Sequence, residues 1–159
     1  MEPVPLDEGR TASTPGRPHV AAALDGDGAC IAKARRLADD FLERVQDEHE
    51  VPVSTRAGEV TRLVVSELVT NARKYAPGPV LLELCLTGEL VEVVVWDSDP
   101  VLPVARAADP GRVGQHGLEI VMALSHSFET RQEPVGKRVI ARIALGDEEA
   151  GRASGRRSA

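Results

Sequence analysis

Glu67 and Asn71 stand four residues apart within the stretch V-V-S-E-L-V-T-N-A-R-K-Y-A, Val64 to Ala76, which Pro77 and Gly78 close. Residues three or four apart on a helix lie above one another, so a helical reading puts Val60, Val64, Glu67, Leu68 and Asn71 on one face. A carboxylate and an amide then share an apolar neighbourhood, which is costly unless a charged or hydrogen-bonding group meets them there. Two kinds of chemistry suit the pair. The carboxylate can take a proton from an attacking hydroxyl or water, and the amide carbonyl can ligate a hard cation such as Mg²⁺. Asn is a mediocre helix former and sits well inside the segment, which favours function over a merely solvated role.

Two later stretches offer partners. Asp97 opens Asp97-Ser98-Asp99-Pro100 at the end of an apolar alternating run. An ionised carboxylate at a strand end accepts a hydrogen bond from an exocyclic amine such as that of adenine, whereas guanine presents an acceptor oxygen and is repelled. Gly111-Arg-Val-Gly114-Gln-His-Gly117-Leu118 is neither of the two commonest nucleotide signatures. A glycine loop feeding a helix nevertheless presents backbone N–H groups and a positive dipole end to a phosphate. Taken singly, Asp97 reads equally well as an ordinary loop aspartate, and the glycine loop as a surface loop.

These groups must be positioned by the elements around them. Residues 1–18 are rich in Pro, Gly, Glu, Ser, Thr and Arg without periodicity and read as a disordered tail. His19 to Leu24 suits an edge strand, and Asp27 is placed to cap a helix in which Ile31, Ala34, Leu37, Ala38, Phe41, Leu42 and Val45 recur at helical spacing. Ser54 or Thr55 can cap the helix that carries Glu67 and Asn71, with Glu59 complementing its dipole. Val80 to Leu86 and Leu90 to Trp96 alternate as strands, and Gly88-Glu89 suits a type II′ hairpin turn. Trp96 on this apolar strand reads as core.

Val101 to Gly117 is a long loop containing Pro103, Pro110, Gly111, Gly114 and Gly117, a length typical of lids and binding loops. Leu118 to Leu124 resumes helical spacing. Ser127 to Gln132 and Lys137 to Leu145 form a closing hairpin around Glu133-Pro-Val-Gly136, with Val139, Ala141, Ile143 and Leu145 alternating. Residues 147–159 form a second disordered tail, leaving 19–146 as the domain. The order implies an α+β fold, a two-layer sandwich with helices packed on one face of a mixed, mostly antiparallel sheet.

Composition narrows the function classes. The chain has 159 residues, 42% of them hydrophobic, enough for one core, and only two Phe, one Trp and one Tyr, so that core must be aliphatic. A formal net charge of -6 argues against direct nucleic-acid binding through phosphates. No apolar run approaches the roughly 18 residues of a membrane span and no signal pattern opens the chain, so a soluble, cytoplasmic protein is expected. Cys30 and Cys85 lack metal or redox spacing and read as reduced, buried thiols. The histidines His19, His49, His116 and His126 show no ligand spacing, and Ser66 lacks the context of a hydrolase nucleophile.

Glu67-Leu-Val-Thr-Asn71-Ala72 resembles the N box of the Bergerat-fold (GHKL) ATPases, with Asp97 where their G1 aspartate falls and Gly114 to Leu118 where their G2 loop falls. Among these, the short chain is most similar to the anti-sigma-factor serine/threonine kinases, in particular ATP-binding regulators of actinobacterial type. The resemblance covers about Val20 to Leu145. It implies ATP and Mg²⁺ as cofactors, Glu67 as general base, Asn71 as the Mg²⁺ ligand and Asp97 as the adenine reader. It also implies that Lys74, Gly114, His116, Gly117 and Leu118 lie at the phosphates. The implied activity is transfer of the ATP γ-phosphate to a hydroxyl of a partner antagonist protein, or else a non-catalytic, nucleotide-dependent partner switch. A sigma factor or anti-sigma antagonist is the implied partner, and homodimerisation the implied assembly. The chain departs from the family at Ser98-Asp99-Pro100, where D-x-G-x-G is usual, and at Gln115, where a glycine is usual.

Overall fold

The computed structural model describes residues 18–25, 28–75, 78–98 and 116–146. Strand β1 spans His19–Leu24, helix α1 Cys30–His49, helix α2 Thr55–Tyr75, strand β2 Val80–Thr87, strand β3 Leu90–Asp97, helix α3 His116–Leu124, strand β4 Ser127–Gln132 and strand β5 Lys137–Ala144. The strands form one five-stranded sheet in the order β1-β2-β3-β5-β4. Every pairing among them is antiparallel. The helices pack on one face, giving the expected α+β two-layer sandwich. No helix among the described residues is long and apolar enough to cross a membrane.

Period-two alternation determines which side of each strand meets the helices. Val80, Leu82, Leu84 and Leu86 of β2, Val91, Val93 and Val95 of β3, and Val139, Ala141 and Ile143 of β5 are all buried. They meet Ala34, Ala38, Phe41 and Val45 of α1 and Val60, Val64, Leu68 and Ala72 of α2 in one core cluster. Phe41 is the aromatic among these buried residues, so the core is aliphatic as the composition requires.

The local signals are followed closely. Ser54 caps α2, its hydroxyl accepting from the Ala57 N–H at 2.9 Å. Gly88 takes a φ of 63° in the two-residue turn between β2 and β3, and Glu89 has no positive φ, the sign pattern of a type II′ turn. Three expectations are corrected. Helix α1 is entered through Ala29 without a side-chain cap, and Asp27 lies outside the described residues. No acidic residue stands in the first turn of α2, because Glu59 falls beyond it. Trp96 is half-buried on the outer face, stacked under the Arg138 guanidinium at 4.7 Å, since its parity on β3 is opposite to that of Val93 and Val95. Cys30 is buried and Cys85 half-buried, both as free thiols.

Candidate functional site

Helix α2 presents Val60, Val64 and Leu68 to the core at 6%, 0% and 3% exposure. Glu67 and Asn71 flank this buried stripe, both half-buried. Neither side chain forms a hydrogen bond or ion pair among the described residues. The helical arithmetic thus holds, but the two polar groups sit at the edge of the apolar face, partly open to solvent. Lys74, the residue before the last of α2, is exposed.

The partner that α2 meets is the start of α3. This helix opens at His116, two residues before the expected start, so Gly117 belongs to its first turn instead of to the preceding loop. A Cβ built on Gly117 would run into the Glu67 carboxylate, with Cδ at 2.9 Å and Cγ at 3.6 Å. A larger residue there would push the end of the Glu67 side chain aside, so glycine leaves room for the carboxylate against α3. The contact sets the Glu67 carboxylate beside the positive end of the α3 dipole, where negative charge is favoured. Leu118, the next residue, is 8% exposed and anchors the helix in the core. Gly114, Gln115, Asp99 and Pro100 lie outside the described residues.

At the end of β3, Asp97 is 7% exposed. It lies directly across from Lys137, the first residue of β5. The Lys137 Nζ donates to Asp97 Oδ1 at 2.9 Å, with side-chain exposures of 2% and 1%. Gly136 precedes this lysine with a φ of 83°, and a Cβ there would lie 2.8 Å from Ser98 Cα and press on the Asp97 carbonyl. The β4–β5 turn is therefore pinned to the backbone of the β3 end. A buried carboxylate with a buried ammonium partner is a built feature, because each charge alone would be strongly destabilising there.

Lys137 is the residue that sequence reading missed. Val139, Ala141, Ile143 and Leu145 define the inner row of β5, and the same parity carried back two residues reaches Lys137. A lysine on the core side of a strand demands an acid. The candidate acid in sequence, Asp97, continues the inner row of Val91, Val93 and Val95 in the same way. What parity alone does not give is that the two rows meet end to end.

No group of three or more His, Cys, Asp or Glu side chains able to hold a metal occurs among the described residues. The Asn71 side chain carries a carbonyl oxygen, a donor type that hard cations accept. The grooves at the opposite end of the strands take no part in this arrangement. One of about 410 Å³ is lined by Gln46, Pro52, Ser54, Glu89 and Leu145, far along β3 and β5 from Asp97 and Lys137.

Residues 17–143 match the family model of the histidine kinase-like ATPase domain. Comparison with curated proteins gives no match. The matched span holds all three helices, strands β1 to β4 and all but the last residue of β5, together with each candidate residue described above.

Proposed function

The chain belongs to the histidine kinase-like ATPase domain family, and from that premise we propose that this ATP-binding domain is a regulator similar to the anti-sigma-factor serine/threonine kinases. It transfers the ATP γ-phosphate to a hydroxyl of a small antagonist protein. The observation that carries this is the contact of Glu67 with Gly117, which puts a half-buried carboxylate at the first turn of α3, one helical turn from Asn71. A helix N-terminus attracts phosphate, so the general base stands beside the place where the transferred group is held.

Glu67 takes the proton from the partner's hydroxyl as its oxygen forms the new bond to the γ-phosphorus. The bond from that phosphorus to the bridging oxygen breaks, leaving ADP. Mg²⁺ bound with the nucleotide neutralises phosphate charge, which is most of what such transfers require. Asn71 would supply a carbonyl oxygen to the ion, Lys74 a cation near the phosphates, and Asp97 an acceptor for the adenine amine. The macromolecular partner is a sigma factor or its antagonist, the assembly a homodimer and the setting cytoplasmic.

Incubation with labelled Mg-ATP and candidate antagonist proteins tests this directly. Glu67→Ala should leave ATP binding nearly intact while lowering phosphotransfer by roughly 10²- to 10⁴-fold. Equal transfer by the variant and the wild type refutes the role of Glu67. The same contact also favours a second reading, a nucleotide-dependent switch without catalysis, because a carboxylate at a helix N-terminus already has a structural use. Ser98-Asp99-Pro100 and Gln115 point the same way. Bound nucleotide and captured partner with no phosphorylated product would establish it.

A further inference from the structure

We propose that Gly117 is a positioning residue for phosphoryl transfer, acting through Glu67: its missing side chain is the space in which the carboxylate is set against the first turn of α3. The inference rests on Glu67 being the general base. Gly117 lies inside α3 with no positive φ, so its backbone conformation is one that alanine adopts without strain. Glycine at a helical position gives up stability that alanine would supply. The backbone of α3 therefore supplies no reason for a glycine here.

The neighbouring helix supplies one. The three heavy atoms nearest to a Cβ at Gly117 all belong to Glu67, with Oε1 in collision, Cδ at 2.9 Å and Cγ at 3.6 Å. Leu118 and Val121, at 8% and 0% exposure, anchor α3 in the core, so the part free to give way is the far end of the glutamate. Among the described residues no hydrogen bond or ion pair fixes that end, and room against α3 is what sets its place. A base must lie within hydrogen-bond reach of the proton it takes, and a misplacement of about 1 Å can cost on the order of 10²-fold in rate. Gly58 of α2 is the counterexample, since a Cβ there meets nothing within 4 Å.

Turnover of labelled Mg-ATP by the full chain, counted as phosphate released to water or passed to candidate antagonist proteins, is measured beside calorimetric ATP binding. Gly117→Ala should stay folded, keep the ATP dissociation constant and lower turnover by roughly 10- to 100-fold. In a Glu67→Ala background the same substitution should lower turnover no further, because the atoms it displaces are gone. Gly58→Ala adds its methyl in open space and should leave turnover unchanged. A glycine whose backbone served the phosphates directly would instead weaken ATP binding when replaced, and would matter equally with and without the Glu67 carboxylate. Either result overturns the proposal, as does an equal loss in Gly58→Ala. If thermal melting shows that Gly117→Ala does not fold, Glu67→Asp decides, since it withdraws the carboxylate from α3 by one methylene. Its turnover should fall with ATP binding intact, and wild-type turnover overturns the proposal. Absence of turnover by the wild type, or equal turnover by Glu67→Ala, overturns Glu67 as the base and this proposal with it. Turnover that depends on Glu67 but is unaltered by Gly117→Ala overturns only the role of Gly117.

Discussion

Strand β5 carries two ion pairs of nearly equal length with different physical meaning. On its inner face Lys137 meets Asp97 at 2.9 Å, with exposures of 2% and 1%. On its outer face Arg142 meets Glu92 at 2.8 Å and Glu129 at 3.4 Å, with Arg142 itself 26% exposed. The outer network is partly open to solvent, so its attraction is damped and salt-screened. The inner pair has given up hydration on both sides, and each charge depends on the other. Distance alone does not rank the two. The comparison teaches that solvent access determines whether a salt bridge decorates a sheet or defines a site.

The largest effect expected from breaking this contrast is at Lys137. Lys137→Met should lower unfolding free energy by about 3–5 kcal/mol in urea titrations, because Asp97 is left as an uncompensated buried charge. Adding Asp97→Leu should recover most of that loss. A single variant as stable as the wild type would mean that burial does not distinguish the two pairs. Next comes the turn that pins the inner pair. Gly136→Ala forces a side chain into a φ of 83° against the Asp97 carbonyl, and should cost about 1–3 kcal/mol in the same titration. An unaffected midpoint would show that the turn relaxes without disturbing β3.

The smallest effects belong to the outer face. Arg142→Met should cost less than about 1 kcal/mol, a loss that shrinks as salt is raised. Its neighbour Glu129 adds a pH signature. A hydrogen bond from Arg131 first, then the charges of Arg131 and Arg142, holds its carboxyl below the ordinary value of 4.5. A depressed folded value stabilises at pH above the unfolded value and loses that contribution as pH falls through the folded one. Stability should therefore decline slightly as pH drops below about 4.5, and Glu129→Gln should flatten that decline. A steep decline that survives the substitution would place the acid-sensitive group elsewhere.

Much of this architecture was legible along the chain because it is local. Alternation in β2, β3 and β5 marked the buried rows, and Gly88-Glu89 marked the turn between β2 and β3. The spacing of Val60, Val64 and Leu68 marked the buried stripe of α2, which Glu67 and Asn71 flank. Trp96 was misread because apolar character was given more weight than parity. The start of α3 was misread because Gly117 resembles a loop residue until Glu67 is seen lying against it.

The sequence by itself determined which residues could do chemistry and on which element each would sit, since periodicity is a property of neighbouring residues. It determined the two-layer class as well, and through the N-box pattern the family. Only the tertiary structure decided which of those residues meet. Glu67 and Gly117 stand 50 positions apart in the chain and Asp97 and Lys137 stand 40 apart, and no local period spans such distances. The contacts arise because α2 packs on α3 and β3 pairs with β5, so long-range register made Asp97 half of a buried charged pair.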